Sequence, residues 1–285
     1  LLPLFLYLYF VERKGKIGVF DSGFGGLTIL RDIVHLFPMY EYVYLGDNAR
    51  APYGNKSFDL IYEYTLEGVR FLFEQGCELV ILACNTASAK ALRTIQQRDL
   101  PRIAPNKRVL GVIRPSTEEI GSLSRTGVVG ILGTEGTINS MSYVIELAKS
   151  SPNTKVYQQA CPLWVPLIEE QEYHSPAGEL IIASDLKRLF NQNSNIDVIV
   201  LACTHYPILK PLIDSLVPPG VTVLSQGPLV AEKLKDYLNR HPEIENRLAL
   251  ESTLRCYTTE SSDYFNEHAS EIFGQALNAE QIQLT

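Results

Sequence analysis

Three features are scarce in this 285-residue sequence: positive charge, cysteines in disulfide-type spacing, and apolar runs of membrane-spanning length. The formal net charge is −7 and the isoelectric point is about 5.3, which argues against a nucleic-acid-binding surface. The five cysteines are an odd number without a CxxC pair, a pattern typical of reduced, intracellular thiols. The apolar run at residues 1–11 is too short to span a bilayer. We therefore expect no nucleic-acid partner and no membrane partner.

The N-terminal apolar run also lacks the features of a signal peptide. No basic region precedes it, and no Ala-x-Ala-like cleavage site follows it. We interpret residues 1–15 as an N-terminal extension and expect a cytoplasmic protein. Hydrophobic residues make up 46% of the chain and charged residues 20%, which is typical of a globular protein with a sizeable core.

Two stretches that are far apart in the chain share one pattern. Residues 79–83 and 198–202 are unbroken apolar runs of strand length, followed by Cys84 and Cys203. Such runs are typical of strands buried on both faces in a parallel α/β sheet. Ligands of these sheets bind at the carboxyl ends of the strands, so the pattern predicts two thiols that face one ligand.

Two other interpretations of these cysteines remain open at this point. Buried cysteines at strand ends often serve only as small apolar packing groups. The Cys203-x-His205 pair could be half of a metal site, although the sequence has no second Cys/His pair with zinc-type spacing.

A glycine-rich turn, residues 21–26, follows a short predicted strand at residues 17–20. Asp21 and Ser22 would be good helix caps there, and the exposed N–H groups of such a turn can bind an anion. A dinucleotide fingerprint is the competing hypothesis, but Thr28 stands where its third glycine would fall. We therefore favour a site for a small anionic ligand.

The alternation of predicted strands and helices continues through the chain. It predicts two pseudo-symmetric, doubly wound α/β domains with the active site in the cleft between them. We assign residues 16–106 and 231–285 to a discontinuous first domain and residues 107–230 to the second. Residues 101–107 predict a connection, and residues 109–113 predict a strand after it. Further along the chain, Ile138, Met141, Ile145 and Ala148 predict one continuous helix.

Five motifs then resemble glutamate racemase, in the order and spacing of that family, from about Lys16 to about Gly274. Together they are highly specific, although each one alone would be weak. The motifs are Asp21-Ser-Gly-Phe-Gly-Gly, Gly46-Asp-Asn-Ala-Arg-Ala-Pro-Tyr-Gly54, Ala83-Cys-Asn-Thr-Ala87, Ala160-Cys-Pro-Leu-Trp-Val-Pro-Leu-Ile-Glu169 and Ala202-Cys-Thr-His-Tyr-Pro207.

The resemblance implies a racemase that interconverts L- and D-glutamate without a cofactor or metal and supplies D-glutamate for peptidoglycan. Its small-molecule partner is glutamate, and a homodimer is left open as its assembly. Cys84 and Cys203 match the catalytic thiols, while Asp21, Glu169 and His205 match groups that assist them. The residues that match substrate-binding pairs are Asp21 and Ser22, Tyr53 and Gly54, Asn85 and Thr86, and Thr204 and His205.

Thiols suit this chemistry because racemisation removes the α-proton from one face and returns a proton to the other. A general acid or base works best with a pKa near the operating pH. The pKa of a free cysteine is about 8.5 and falls at a helix N-terminus, where we expect both Cys84 and Cys203. An aspartate-type racemase and a non-enzymatic regulator on the same fold are the alternatives.

Overall fold

The computed structural model describes residues 13–284, so most of the predicted N-terminal extension lies outside the described residues. Strands and helices alternate throughout the described part. The strands are β1 (Lys16–Asp21), β2 (Tyr42–Gly46), β3 (Cys77–Leu82), β4 (Arg108–Gly111), β5 (Val128–Gly133), β6 (Lys155–Ala160), β7 (Val198–Ala202), β8 (Thr222–Leu224), β9 (Leu254–Thr258) and β10 (Ala279–Gln281).

Fourteen α-helices belong to the same described range, together with short 3-10 segments at Asn48–Arg50, Glu172–His174 and Tyr206–Leu209 and a π-helical segment at Ile95–Asp99. The helices are α1 (Gly26–Leu36), α2 (Phe58–Glu74), α3 (Asn85–Lys90), α4 (Leu92–Thr94), α5 (Leu100–Ile103), α6 (Ile113–Leu123), α7 (Glu135–Asn139), α8 (Ser142–Ser150), α9 (Trp164–Glu169), α10 (Pro176–Gln192), α11 (Lys210–Leu216), α12 (Gln226–Arg240), α13 (Pro242–Glu245) and α14 (Ser262–Phe273). Between residues 13 and 284 no helix is both long enough and apolar enough to cross a membrane.

The strands form two parallel sheets with related strand orders. The first sheet has the order β10-β9-β2-β1-β3-β4, and the second has the order β6-β5-β7-β8. Thus β2-β1-β3-β4 in the first sheet corresponds to β6-β5-β7-β8 in the second, and every pairing is parallel. The predicted α/β class with two pseudo-symmetric, doubly wound units is confirmed.

The apolar runs form the buried centres of the two sheets, as predicted. All five residues of β7 are buried, and β3 is buried except at Glu78. Helices cover both faces of each sheet, so each sheet has one apolar core on either side. This double burial explains why these strands carry Val, Ile and Leu without alternating polar residues.

The C-terminal part of the chain completes the first sheet. β9 pairs with β2, and β10 pairs with β9. From α14, the fully buried Phe265 packs on Phe24 and Tyr44, with ring centroids 5.5 and 6.1 Å away. α12 is continuous across the boundary predicted between residues 230 and 231, and the division into domains at that residue stays a prediction.

Three local predictions were wrong. Met141 has a positive φ of 57°, so the helix predicted over residues 138–148 is broken into α7 and α8, and the side chains of Met141 and Ile145 are both 46% exposed. Pro101 lies within α5 rather than in a connection, because a proline is tolerated in the first turn of a helix. Ile113 begins α6 instead of ending a strand.

We predict that Phe265→Ala lowers the free energy of unfolding by about 3–5 kcal/mol, because it leaves a cavity between α14 and the first sheet. The measurement is chemical denaturation followed by circular dichroism. Leu250→Ala is the control, since Leu250 is 52% exposed and a substitution there should change stability by about 0.5 kcal/mol or less. A loss below about 1 kcal/mol at Phe265 would show that the C-terminal segment is not part of this core.

Candidate active site

A small pocket lies where the carboxyl ends of the two sheets meet. Each residue that lines it comes from a segment that follows a strand, as expected for ligand sites in parallel α/β sheets. Ten of the eleven residues predicted from the sequence to form the site line this pocket, and Asp21 is the exception. The lining residues are Ser22, Gly23, Ala51, Pro52, Tyr53, Gly54, Cys84, Asn85, Thr86, Thr134, Val165, Glu169, Cys203, Thr204 and His205.

Cys84 follows β3 and occupies the N-cap position of α3. Its Sγ accepts a hydrogen bond from the backbone N–H of Ala87 at 3.5 Å and lies 3.4 Å from Ser22 Oγ. Burial, together with the charge of nearby Asp21, nevertheless raises the pKa of Cys84 to about 12. The expected lowering of this pKa at a helix N-terminus is therefore wrong, since desolvation outweighs the effect of the helix.

Asp21 ends β1 and lies behind the pocket wall, with no exposed surface. Its carboxylate accepts hydrogen bonds from Gly23 N at 3.0 Å and from Thr204 Oγ1 at 3.3 Å. Burial raises its pKa above the ordinary value. The alternative role as a helix cap is not observed, because Gly25 occupies the N-cap position of α1. Asp21 therefore joins the first glycine-rich turn to the segment after β7.

Cys203 follows β7, the strand that corresponds to β3. It precedes the 3-10 segment Tyr206–Leu209 rather than an α-helix, so the predicted α-helical N-terminus is absent here. The buried His205 lies next to it, with Nε2 3.2 Å from Glu169 Oε1 at an angle outside hydrogen-bond geometry. Burial by itself lowers the pKa of His205, but Cys203 and Glu169 raise it to about 10 on balance. The imidazole of His205 is therefore favoured in its charged form by its two neighbours, against the effect of burial.

Tyr53 and Gly54 belong to the loop after β2, which contains the cis peptide Ala51–Pro52. The hydroxyl of Tyr53 donates to the buried carboxylate of Asp47, which also accepts hydrogen bonds from Arg50 and Thr259. These bonds hold the loop against the first sheet. At its tip, Gly54 O accepts a hydrogen bond from Gly136 N at 2.8 Å, so the loop also contacts the second half.

Asn85 and Thr86 start α3 and have different surroundings. Thr86 Oγ1 lies 2.9 Å from Thr134 Oγ1, which connects α3 to the turn after β5. The amide of Asn85 instead bonds to Gln226 and Tyr143 in a buried cluster. Thr134 and Val165 line the pocket but were not predicted as site residues. Thr134 could have been predicted as a site residue, because the turn that contains it corresponds in layout to residues 21–26.

The Cys203 and His205 pair is not completed to a metal site by further ligands in the described part of the chain. Within residues 13–284, no three His, Cys, Asp or Glu side chains are grouped so that they could hold a metal ion. All five cysteines are unpaired, and Cys77, Cys161 and Cys256 are buried away from the pocket.

Comparison with known proteins agrees with this geometry. Residues 25–234 match the family described as Asp/Glu/Hydantoin racemase. A glutamate racemase of Streptococcus suis is 36% identical over 269 residues, which cover 94% of this chain and 98% of that protein.

Two solved structures are similar over almost their whole length. A glutamate racemase isoform of Bacillus anthracis superposes with a TM-score of 0.87 at 30% identity, covering 96% of this chain and 99% of that one. The glutamate racemase of Francisella tularensis in complex with D-glutamate gives a TM-score of 0.84 at 31% identity, covering 95% and 98%. The resemblance drawn from the five motifs is confirmed. The chain therefore belongs to the Asp/Glu/Hydantoin racemase family, which makes it an isomerase.

Proposed function

We propose that this chain interconverts L- and D-glutamate without a cofactor and uses the thiols of Cys84 and Cys203 as an acid–base pair. The observation that carries the proposal is that both thiols line one pocket from corresponding positions, after β3 and after β7. Such placement suits a reaction that removes a proton from one face of a carbon and adds one to the other. The similarity to glutamate racemases supports glutamate as the substrate.

Each direction of the reaction needs one thiol and one thiolate. Cys84 is the neutral partner, since burial and Asp21 raise its pKa to about 12. Cys203 and His205 line the pocket together, and a protonated imidazole beside a sulfur stabilises negative charge on that sulfur. We infer that Cys203 starts as the base and Cys84 as the acid, and that the next turnover in the opposite direction exchanges these roles.

The polar groups around the thiols are suited to hold the two carboxylates of glutamate. The hydroxyls of Ser22, Thr86, Thr134 and Thr204 line the pocket, and His205 supplies positive charge there. Deprotonation of the α-carbon moves negative charge towards the α-carboxylate, and preorganised donors stabilise such charge. Glu169 keeps His205 charged, so we assign it a positioning role.

An aspartate-type racemase and a non-enzymatic regulator are the competing functions. Both thiols are present in one pocket, which argues against a protein that has lost the reaction. The deciding experiment is a circular-dichroism assay with L- and D-glutamate and with L- and D-aspartate, in a reducing buffer without added cofactor. Loss of the glutamate signal at equal rates from both enantiomers supports the proposal. A signal with aspartate alone, or with neither amino acid, contradicts it.

We further propose that the D-glutamate formed is used for peptidoglycan and that the protein acts in the cytoplasm. Both proposals follow from the resemblance to glutamate racemases rather than from the geometry of the site. A homodimer remains a proposal of the same kind, and sedimentation of the purified protein would test it.

We predict that Cys84→Ser and Cys203→Ser each reduce racemisation by at least about 10²–10⁴-fold, because a serine hydroxyl is far too weak an acid to replace a thiol. Each variant keeps one working base, so each should still eliminate a leaving group from one enantiomer of a suitable glutamate analogue. The two variants should prefer opposite enantiomers. Cys256→Ala, at a buried thiol outside the pocket, is the control and should keep nearly full activity. The same preference in both serine variants contradicts the two-thiol mechanism.

We predict that dialysis against a strong chelator leaves the racemase activity unchanged and that added pyridoxal phosphate does not increase it. The reason is that a thiol pair with hydroxyl and imidazole donors can carry out the proposed proton transfers without another group. The measurement is the initial rate before and after dialysis. A loss of activity that zinc restores would show that the thiols act as metal ligands instead.

The next prediction concerns the charge on His205. Its pKa is raised from 6.5 to about 10, so the stabilisation from its contacts is fully present below pH 6.5 and is lost as the pH rises through about 10. Glu169→Gln removes one of the groups that raise this pKa and should move it down. Imidazole NMR titration of both proteins measures the change. An unchanged His205 pKa in Glu169→Gln would show that Glu169 has no part in charging the imidazole.

A further inference from the structure

A closed ring of three hydrogen bonds lies beside the first turn of α3. Gln226 Nε2 donates to the hydroxyl of Tyr143 at 2.8 Å, and this hydroxyl donates to Asn85 Oδ1 at 2.7 Å. Asn85 Nδ2 then donates back to Gln226 Oε1 at 2.6 Å. Every group in the ring both donates and accepts, so the three side chains hold one another in a single arrangement.

The direction of the ring is set by groups next to it. Gln226 Nε2 also lies 3.2 Å from Val112 O and 2.8 Å from Ser116 Oγ. The Val112 carbonyl can only accept, and it already receives the Ser116 hydroxyl at 2.8 Å. The nitrogen of the Gln226 amide must therefore face this side and its oxygen must face Asn85, because the reversed amide would place two acceptors together.

The ring joins segments that are distant in the chain. Asn85 starts α3 after β3 of the first sheet, whereas Gln226 starts α12 after β8 of the second sheet, and Tyr143 belongs to α8. Asn85 is 2% exposed, Gln226 is 1% exposed and Tyr143 has no exposed surface. Without competing water, breaking one bond leaves buried polar groups unsatisfied, so the ring resists small movements.

We propose that Gln226 is a positioning residue for proton transfer, which holds Asn85 and thereby fixes the first turn of α3. Cys84 is the N-cap of that helix, and its Sγ accepts from Ala87 N within the same turn. A shift of Asn85 would therefore move the sulfur relative to the substrate. This role rests on the proposed function, in which Cys84 is one of the two thiols.

The ring should affect the two thiols unequally. It contacts the residue that follows Cys84 directly, whereas Cys203 lies in the segment after β7, which contributes no residue to the ring. Loss of Gln226 should therefore slow the step that uses Cys84 as base much more than the step that uses Cys203. A general loss of stability would slow both steps together.

The test measures elimination from each enantiomer of a glutamate analogue with a leaving group on Cβ. In this reaction a thiolate takes the α-proton, and the electron pair of the broken C–H bond forms the C=C bond as the leaving group departs. Only the abstracting thiol is needed, so each enantiomer reports on one thiol. Cys84→Ser and Cys203→Ser establish which enantiomer belongs to which thiol.

Gln226→Met keeps the length of the side chain but removes all its amide hydrogen bonds. We expect about 10²-fold slower elimination from the enantiomer that Cys84 serves, since a displacement near 1 Å costs about this factor, and a change within about threefold for the other enantiomer. Tyr143→Phe removes one hydroxyl from the ring and should show the same preference in weaker form. It also provides the test if Gln226→Met fails to fold. Cys256→Ala is the control, since Cys256 is buried outside both the ring and the pocket, and it should stay within about threefold for both enantiomers.

The outcomes separate this inference from the function on which it rests. If the two serine variants have opposite preferences but Gln226→Met and Tyr143→Phe slow both enantiomers equally, the positioning role of Gln226 is overturned and the two-thiol function stands. If the serine variants do not differ, both proposals are overturned. A preference in Gln226→Met that matches Cys203→Ser would also refute the assignment to Cys84.

Discussion

The site depends on the close contact between the carboxyl ends of the two parallel sheets. A Cβ atom at Gly25 would lie only 2.4 Å from Thr204 Oγ1 and 2.6 Å from His205 Nδ1, so the start of α1 and the segment after β7 are in direct contact. At Gly54, a Cβ atom would lie 2.8 Å from the Cβ of Thr134. Larger side chains at either glycine would push the two halves apart and open the pocket. Small residues are therefore a geometric condition for both thiols to reach one substrate.

Because the groups at this contact are buried, the pKa of an ionisable group there depends strongly on its neighbours. Water cannot reach Asp21, which has no exposed surface, and the exposed fractions of Cys84 and Cys203 are only 5% and 7%. On the side of Cys84, Asp21 raises the pKa of the thiol, whereas the neighbour of Cys203 is the imidazole of His205. Two cysteines at corresponding positions of related sheets are thus placed in different electrostatic surroundings.

Some polar contacts around the pocket hold a loop to its own sheet, whereas others connect the two halves of the chain. Asp47 anchors the loop that carries Tyr53 to the first sheet, while Thr86 and Thr134 connect the two halves at the pocket wall. The ring around Gln226 adds a connection behind α3. Helix α12, which begins at Gln226, then continues along α1, and a Cβ atom at Gly227 would lie 1.8 Å from Asp32 Oδ2. The second half is therefore joined to the first through both the pocket wall and this helix.

The sequence by itself determined the buried strands and the thiols that follow them. An unbroken run of Val, Ile and Leu is typical of a strand that is covered on both faces. A residue just after such a strand lies at the ligand-binding edge of the sheet. Cys84 and Cys203 were predictable for this reason, whereas most of the other predicted pocket residues were implied only by the resemblance to glutamate racemase. Residues 231–285 were assigned to the first domain, but the pairing of β9 with β2 could not be predicted, because the partner of a strand depends on the whole sheet.

Only the tertiary structure decided how these groups influence one another. Asn85 was predicted as a pocket residue, yet its amide bonds to Gln226, which lies 141 positions later in the chain. Asp21, which was predicted as a substrate-binding residue, is fully buried next to the pocket lining, where it raises the pKa of Cys84. The break at Met141 likewise interrupts an apolar pattern that favours a continuous helix. Burial and long-range neighbours set all three outcomes, and neither can be read from local residue spacing.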